Sequence, residues 1–213
     1  MADIIDRAEA FARQCFAGDA SGHDHWHTLR VRQLARRLAE AEGADVRTAE
    51  LAALLHDVDD EKLSPETAAE KRRARDFLER EGLPETEIAR ILHIIGQVSY
   101  KGTDSVAPDS IEGMCVQDAD RLDAIGAIGV ARTFAFGGSR GRALWDPEEK
   151  PRTEVNAANY RSGTGCTVNH FYEKLLLLKD LMNTKTARAV AEERHRYMEA
   201  FLDEFYAEWQ GER

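Results

Sequence analysis

The chain has 213 residues, 43% of them apolar and 32% charged, with a formal net charge of −10 and a pI near 5.2. That length supports one substantial core, and that balance belongs to a folded globular chain rather than a disordered one. The negative charge argues against sequence-independent binding of duplex nucleic acid, yet a small phosphorylated ligand needs only a few local cations.

Apolar residues at Ile5, Ala8, Phe11, Ala12 and Phe16 recur at helical spacing and predict a first helix over about 2–17, broken by Gly18 and Gly22. Ser21 is the expected N-cap of a second helix, which runs to Glu42 and stops at Gly43. Asp45 caps a third, ending at the cluster His56-Asp57-Val-Asp-Asp60. Ser64, Pro65 and Glu66 supply the cap, N1 proline and early acid of a fourth, running to Glu81. Leu83-Pro84-Glu85 opens a fifth, with its end near Gly96. From Ser110 to Phe136 the pattern predicts one long apolar helix, in which Gly126 and Gly129 allow close helix–helix approach.

Residues 137–166 are different, because Gly137, Gly138, Gly141, Pro147, Pro151, Gly163 and Gly165 leave no period. A loop of that length is expected to serve as a lid or an interface arm. Helices over about 167–182 and 185–209 close the chain. With no repeat and no linker, the expected architecture is all-α, a single helical-bundle domain over 1–213 carrying one long irregular loop.

The segment Met1-Ala-Asp-Ile-Ile-Asp6 lacks a signal peptide's apolar region, and the greasy tract Leu175 to Leu178 is followed at once by Lys179 and Asp180. Cys15, Cys115 and Cys166 are scattered and odd in number, which suggests neither a disulfide framework nor a zinc knuckle. Cytoplasm is the expected compartment, with no membrane partner.

His56 and Asp57 follow the apolar run Leu51-Ala-Ala-Leu-Leu55. An imidazole and a carboxylate placed there need compensation, and a divalent cation supplies it. Neighbours point roughly 100° apart on a regular helix, so both reach one ion only at a helix end or bend. Upstream, His23 and His27 lie four apart on one helical face, and either can join them. Downstream, Asp118 and Asp120 compete, on a helix too apolar all round for periodicity to rank them. Two imidazoles and two carboxylates make a nitrogen–oxygen set suited to manganese, iron, cobalt, nickel, zinc or magnesium rather than a thiolate metal. In an octahedron, four protein ligands leave two positions for water and a substrate oxygen, as a catalytic metal requires.

This arrangement resembles the HD superfamily of metal-dependent phosphohydrolases, whose pattern is a His, then a His-Asp pair, then a distant Asp. The similarity is closer to its bacterial YedJ/YpgQ-like subgroup of nucleotide pyrophosphohydrolases. The strings that carry it are Gly22-His-Asp-His-Trp-His27, Leu55-His-Asp-Val-Asp-Asp-Glu-Lys62, Gln117-Asp-Ala-Asp-Arg-Leu-Asp-Ala-Ile-Gly126 and His170-Phe-Tyr-Glu-Lys174, which reach across most of the chain. The resemblance implies an HD-type bundle with its metal-site core between residues 20 and 125. It also implies His27 as the first ligand, being the later His of its string, and Asp120 as the last, because the family's terminal Asp precedes a Lys/Arg-Leu pair.

Asp60 and Glu61 follow Asp57 at offsets three and four and are candidates for catalytic proton handling, a solvated acidic helix end being the alternative. His23 and Arg30 flank His27 as substrate-binding candidates, Arg30 as a phosphate clamp three residues on. Asp123, three after Asp120, can accept an N–H from a ligand His and fix its tautomer, a role for which Asp24 competes. Lys101, within Ser99-Tyr-Lys-Gly102, is placed to reach distal phosphates, and His93 reads as either a core or a site histidine. His170 and Lys174 share a face and are candidates for phosphate or base contacts, while Arg132, Arg140 and Arg142 flank the long loop unranked.

The expected activity is hydrolysis of a nucleoside triphosphate to the monophosphate and pyrophosphate, with one divalent ion, manganese favoured. An alarmone-type 3′-diphosphate hydrolase is the main alternative, although the Glu-Asp pair of those relatives stands reversed here as Asp60-Glu61. A nucleotide phosphomonoesterase and a non-catalytic metal- and nucleotide-binding module complete the set. Cyclic-dinucleotide hydrolysis of the HD-GYP kind is disfavoured because no Gly-Tyr-Pro string follows. The long loop and the apolar stripe Val190, Met198, Phe201, Leu202, Phe205 of the last helix fit a homodimer.

Overall fold

The structure is a computed structural model that describes residues 3–16, 25–59, 70–99, 105–152 and 165–213. Every regular element among the described residues is helical, and the protein is all-α. Although the sequence contains no obvious linker, the chain divides into two compact units, one formed by residues 1–100 and 106–120, the other by 101–105 and 121–213.

In the first unit, α1 (Ile4–Cys15) starts at a capping box in which Asp3 and Asp6 each satisfy the other's end of the first turn. α2 (His25–Glu42) ends as its sequence requires. Gly43 takes φ +72, and the N–H of Ala44 donates back to the Ala39 carbonyl at 2.9 Å, closing the last turn. Asp45 then caps α3 (Val46–Leu55) by accepting from the Thr48 N–H at 3.2 Å. Leu51 through Leu55 are fully buried, because α3 packs against α1, α2 and the later helix over Glu85–Val98. That enclosure explains an apolar run from Leu51 to Leu55 that points to every side of the helix, and each buried leucine contributes roughly 1.5–3 kcal/mol. One charge, Glu50, goes in with it, and Arg32 of α2 joins Glu50 at 2.9 Å and Glu9 of α1 at 2.7 Å, riveting three helices.

α4 (Arg72–Arg80) and α5 (Glu85–Val98) pack on each other. The start expected for the fourth helix at Ser64 lies outside the described residues. α6 (Ile111–Asp123) completes the unit with its residues through Asp120. Gln117 anchors it, its Nε2 donating to the Gln97 and Val106 carbonyls at 2.7 and 2.9 Å.

The long apolar helix expected from Ser110 to Phe136 is two helices. After α6 the chain closes two tight turns, Ala124 N to Arg121 O and Ile125 N to Leu122 O, both 3.2 Å. It extends at Ile125 and turns at Gly126 (φ +77) into α7 (Gly126–Ser139). A side chain at Gly126 would meet the Arg194 stem at 3.0–3.2 Å, so the glycine serves both the left-handed turn and the close approach. The helix expected over 167–182 is likewise split, into α8 (Asn169–Glu173) and a 3-10 helix (Leu175–Leu181). With three residues per turn, Leu175 and Leu178 stack on the buried side while Leu177 is left exposed. α9 (Lys185–Gln210) packs on α7 and on the 3-10 helix, and the half-buried Phe134, Phe201 and Phe205 cluster with the fully buried Phe171. No helix among the described residues is long and apolar enough to cross a membrane.

Candidate metal centre

His27 lies in the first turn of α2 and is 2% exposed. His56 is the C-cap of α3 and keeps helical angles (φ −62, ψ −33), while Asp57 begins the turn beyond. Leaving the helix here lets adjacent residues converge, as the geometry of a regular helix forbids. Asp120 arrives from α6. His27 Nε2 stands 3.6 Å from Asp57 Oδ2 and 3.4 Å from Asp120 Oδ1. His56 Nε2 stands 3.2 Å from Asp57 Oδ2 and 3.8 Å from Asp120 Oδ1. The two imidazoles meet edge to face, centroids 5.4 Å apart.

Donor atoms that share one ion at bonds of about 2.1 Å lie roughly 3–3.5 Å apart, and the imidazole–carboxylate distances here approach that spacing. His27, His56 and Asp57 bring ligand atoms within 4.8 Å of one another, all three residues buried. The more decisive observation concerns His56. Its Nδ1 is 2.8 Å from the Ala53 carbonyl oxygen, which can only accept, so Nδ1 carries the proton and Nε2 presents a lone pair. That Nε2 is buried and forms no hydrogen bond, its approach to Asp57 being misdirected for one. A buried lone pair among carboxylates is costly unless a cation receives it. The donor set therefore fits a divalent ion.

The electrostatics agree. Burial pushes the His56 imidazole down, but the Asp57 carboxylate and then Asp120 outweigh it and leave its pKa above the ordinary 6.5. Burial pushes the Asp120 carboxyl up, and the contact with His27 and the charge of His56 carry it below the ordinary 3.8.

The family model of the HD domain matches residues 26–125, a span that contains all four donors. The YpgQ protein of Bacillus subtilis is 39% identical over 199 residues, covering 92% of this chain and 89% of that protein. The chain belongs to the HD superfamily. Solved structures agree with that membership. The crystal structure of an HD-superfamily hydrolase from Bacillus thuringiensis matches with a TM-score of 0.77 at 46% identity, over 97% of this chain and 96% of that one. A Lactobacillus plantarum protein matches with a TM-score of 0.85 at 40% identity, over 97% of both chains. B. subtilis YpgQ, crystallised in complex with ADP, matches with a TM-score of 0.75 at 36% identity, over 96% of this chain and 97% of that one. This HD-superfamily protein is thus YpgQ-like and a metal-dependent phosphohydrolase.

Other residues of the HD protein fall in several places. Arg30 is half-buried one turn beyond His27. Asp118, the rival of Asp120, is fully buried, and its charge, after burial itself, helps push the Cys115 thiol up to about 12. Asp123 is buried and accepts from Arg132 Nη1 at 2.6 Å, whereas the imidazole proton of His56 goes to the Ala53 backbone. His93 is exposed and pairs with Asp109 at 2.8 Å, so it belongs neither to the core nor to the metal cluster. Lys174 lies in the second unit, immediately after α8. His23, Asp24, Asp60, Glu61 and Lys101 lie outside the described residues.

Two contributors escaped the sequence. The Ala53 carbonyl has no side-chain signal, and only the helical offset of three from His56 hints at it. Asp59 looked like one more acid in a cluster, yet it is buried, and its two oxygens accept the N–H groups of Arg73 and Ala74 at 3.1 and 2.9 Å. It caps α4 from thirteen residues upstream of Arg72, next to a Lys71 held at φ +49.

Proposed function

We propose that this phosphohydrolase cuts a phosphoanhydride bond of a nucleoside triphosphate and releases the monophosphate and pyrophosphate. The observation that carries the nucleotide is the relative crystallised with ADP, 36% identical over nearly the whole chain. His27, His56, Asp57 and Asp120 hold one divalent ion, manganese being favoured for a mixed imidazole–carboxylate set. When bound, such an ion supplies positive charge to a phosphoryl oxygen and makes neighbouring water more acidic.

The chain's own groups do the rest. Asp57 and Asp120 balance the charge of the ion, and the Nδ1–H bond from His56 to Ala53 keeps the correct tautomer and ring orientation. Asp60 and Glu61 accept the proton as water attacks the α-phosphorus. The new P–O bond forms as the bridging P–O bond breaks, and pyrophosphate leaves with that electron pair. His23, Arg30, Lys101 and Lys174 contact the phosphates, Asp24 and Asp123 orienting groups around them.

A product-resolved assay with nucleoside triphosphates and a nucleotide 3′-diphosphate, across several divalent metals, tests this reading. One pyrophosphate per monophosphate is the expected result. Release of orthophosphate alone overturns it, and cleavage of the 3′-diphosphate with triphosphates untouched transfers the assignment to the alarmone class. A purified His56→Ala variant that turns over as fast as the parent removes the metal centre from the reaction.

A further inference from the structure

Glu50 lies in the core of the first unit at 7% exposure, a carboxylate that takes no part in the metal cluster. Its partner is Arg32 of α2, whose Nε donates to Glu50 at 2.9 Å while its Nη1 donates to Glu9 of α1 at 2.7 Å. A buried ion pair adds little net stability, because desolvation offsets the attraction, and its best-attested use is to fix how elements align. What this pair aligns is decided by where it lies.

α2 and α3 form an antiparallel hairpin that turns at Gly43. Along it the Ala44 N–H meets the Ala39 carbonyl, Arg32 meets Glu50, and the His27 ring meets the His56 ring, three contacts in one register. The two imidazoles stand at the open end. The turn holds the closed end, but Gly43 is sixteen residues from His27, about 24 Å of helix. Between them the buried residues of the two helices include many small ones, Ala35 and Ala39 on α2 and Ala49, Ala52 and Ala53 on α3. Alanines let helices approach closely but raise only shallow ridges against tilting. Over that length a tilt of about 2–3° moves the open end by about 1 Å, several times the roughly 0.2 Å that a metal site tolerates. Arg32, five residues after His27, and Glu50, six before His56, tie the hairpin near that end. Glu9 ties the same guanidinium to a third helix.

We propose that Arg32 is a positioning residue for the metal centre: through Glu50 and Glu9 it sets the separation of His27 and His56, and with it the affinity for a divalent cation. The proposal rests on the reading of those histidines as metal ligands and not on which phosphate bond is cut.

The test separates alignment from stability. In the double variant Arg32→Met/Glu50→Met both members of the pair go together, so the core keeps no unpaired charge and the metal-free Tm stays near the parent's. Manganese affinity, measured by calorimetric titration of the folded full chain, falls at least about tenfold. The absorption bands of the cobalt-loaded protein, which report ligand geometry, shift. Arg32→Lys puts a point charge where a planar fork held two carboxylates, and its affinity falls between parent and double variant; it also serves as the test if the double variant fails to fold. Arg36→Gln, which removes an exposed cation paired within α2 to Glu40, leaves affinity and bands unchanged. Parent-like manganese affinity in the folded double variant or in Arg32→Lys overturns the proposal, as does an equal loss with Arg36→Gln. A parent that takes up no manganese overturns the metal reading and this proposal with it, whereas a parent and variants that bind manganese equally well overturn this proposal alone.

Discussion

The Nδ1 proton of His56 goes to the carbonyl of Ala53, one helical turn back, at 2.8 Å. That bond leaves Nε2 as a buried lone pair facing Asp57 and Asp120, the arrangement on which the proposal of a metal ligand at the end of α3 rests. Replacing His56 with Ala removes a donor that nothing nearby can supply. Because changes merely behind a metal ligand cost 10- to 100-fold, His56→Ala is expected to lower metal affinity and turnover by more than about a hundredfold. Metal titration and initial rates check it, and full metal occupancy in the variant at micromolar metal would refute it.

Proton and metal compete for the same pocket. The folded metal-free protein holds the His56 pKa above its ordinary 6.5, so this group's stabilisation of the metal-free fold is complete below the unfolded value and disappears as pH rises through the folded one. Metal uptake displaces that proton and strengthens over the same rise. The difference in Tm between metal-loaded and chelated protein should therefore widen from pH 6 to pH 8, reaching about 2.7 kcal/mol of stabilisation when free metal is 100 times Kd. Thermal melts with and without chelator measure it. A gap independent of pH contradicts it.

Asp59 is bonded to the first turn of α4 through Arg73 and Ala74. Asp59→Ala leaves two N–H groups without their acceptor and is expected to cost about 1–2 kcal/mol, with Asp59→Asn intermediate. Urea denaturation supplies the number, and an unchanged midpoint for the alanine variant would show that the cap is dispensable.

Gly129 and Gly138 lie in the same helix and should respond oppositely. A Cβ at Gly129 falls 2.2 Å from the Ala124 carbonyl oxygen, which is backbone and cannot swing away, while one at Gly138 meets nothing within 4 Å. Gly129→Ala is expected to destabilise by about 1–3 kcal/mol or more, and Gly138→Ala to be neutral or to stabilise by up to about 1 kcal/mol. Equal melting temperatures for the two variants would contradict the packing.

His170 carries the acid-side counterpart. Burial first, then the cations around it, hold its pKa down at about 3, so between pH 6.5 and 3 the unfolded chain binds a proton that the folded one refuses. Stability must fall on acidification through that window, and a His170→Gln variant should lose part of the fall. Denaturant midpoints at pH 7 and pH 4.5 compare them. Identical pH dependence in parent and variant would mean that His170 is not the group.

Sequence alone was enough for the all-α class, the caps at Asp45 and Gly43 and the resemblance to the HD superfamily, and it singled out His27, His56 and Asp57, whose ligand atoms the fold brings within 4.8 Å of one another. Those are local or compositional facts: a helix announces itself by period, a cap by residue type, and a His-Asp pair after an apolar run by its expense. The split of the expected 110–136 helix was not legible, because Gly126 reads as one more helix glycine until its left-handed turn and the Arg194 stem beside it are seen, two residues 68 positions apart along the chain. Nor could a pattern say that Asp59 caps a helix, that Arg132 pairs with Asp123, or that a backbone carbonyl sets the tautomer of His56. Each is a matter of which polar group finds its partner across the fold. Only the tertiary structure decides that, because a buried donor or acceptor is satisfied by whatever is near in space, not by what is near in sequence.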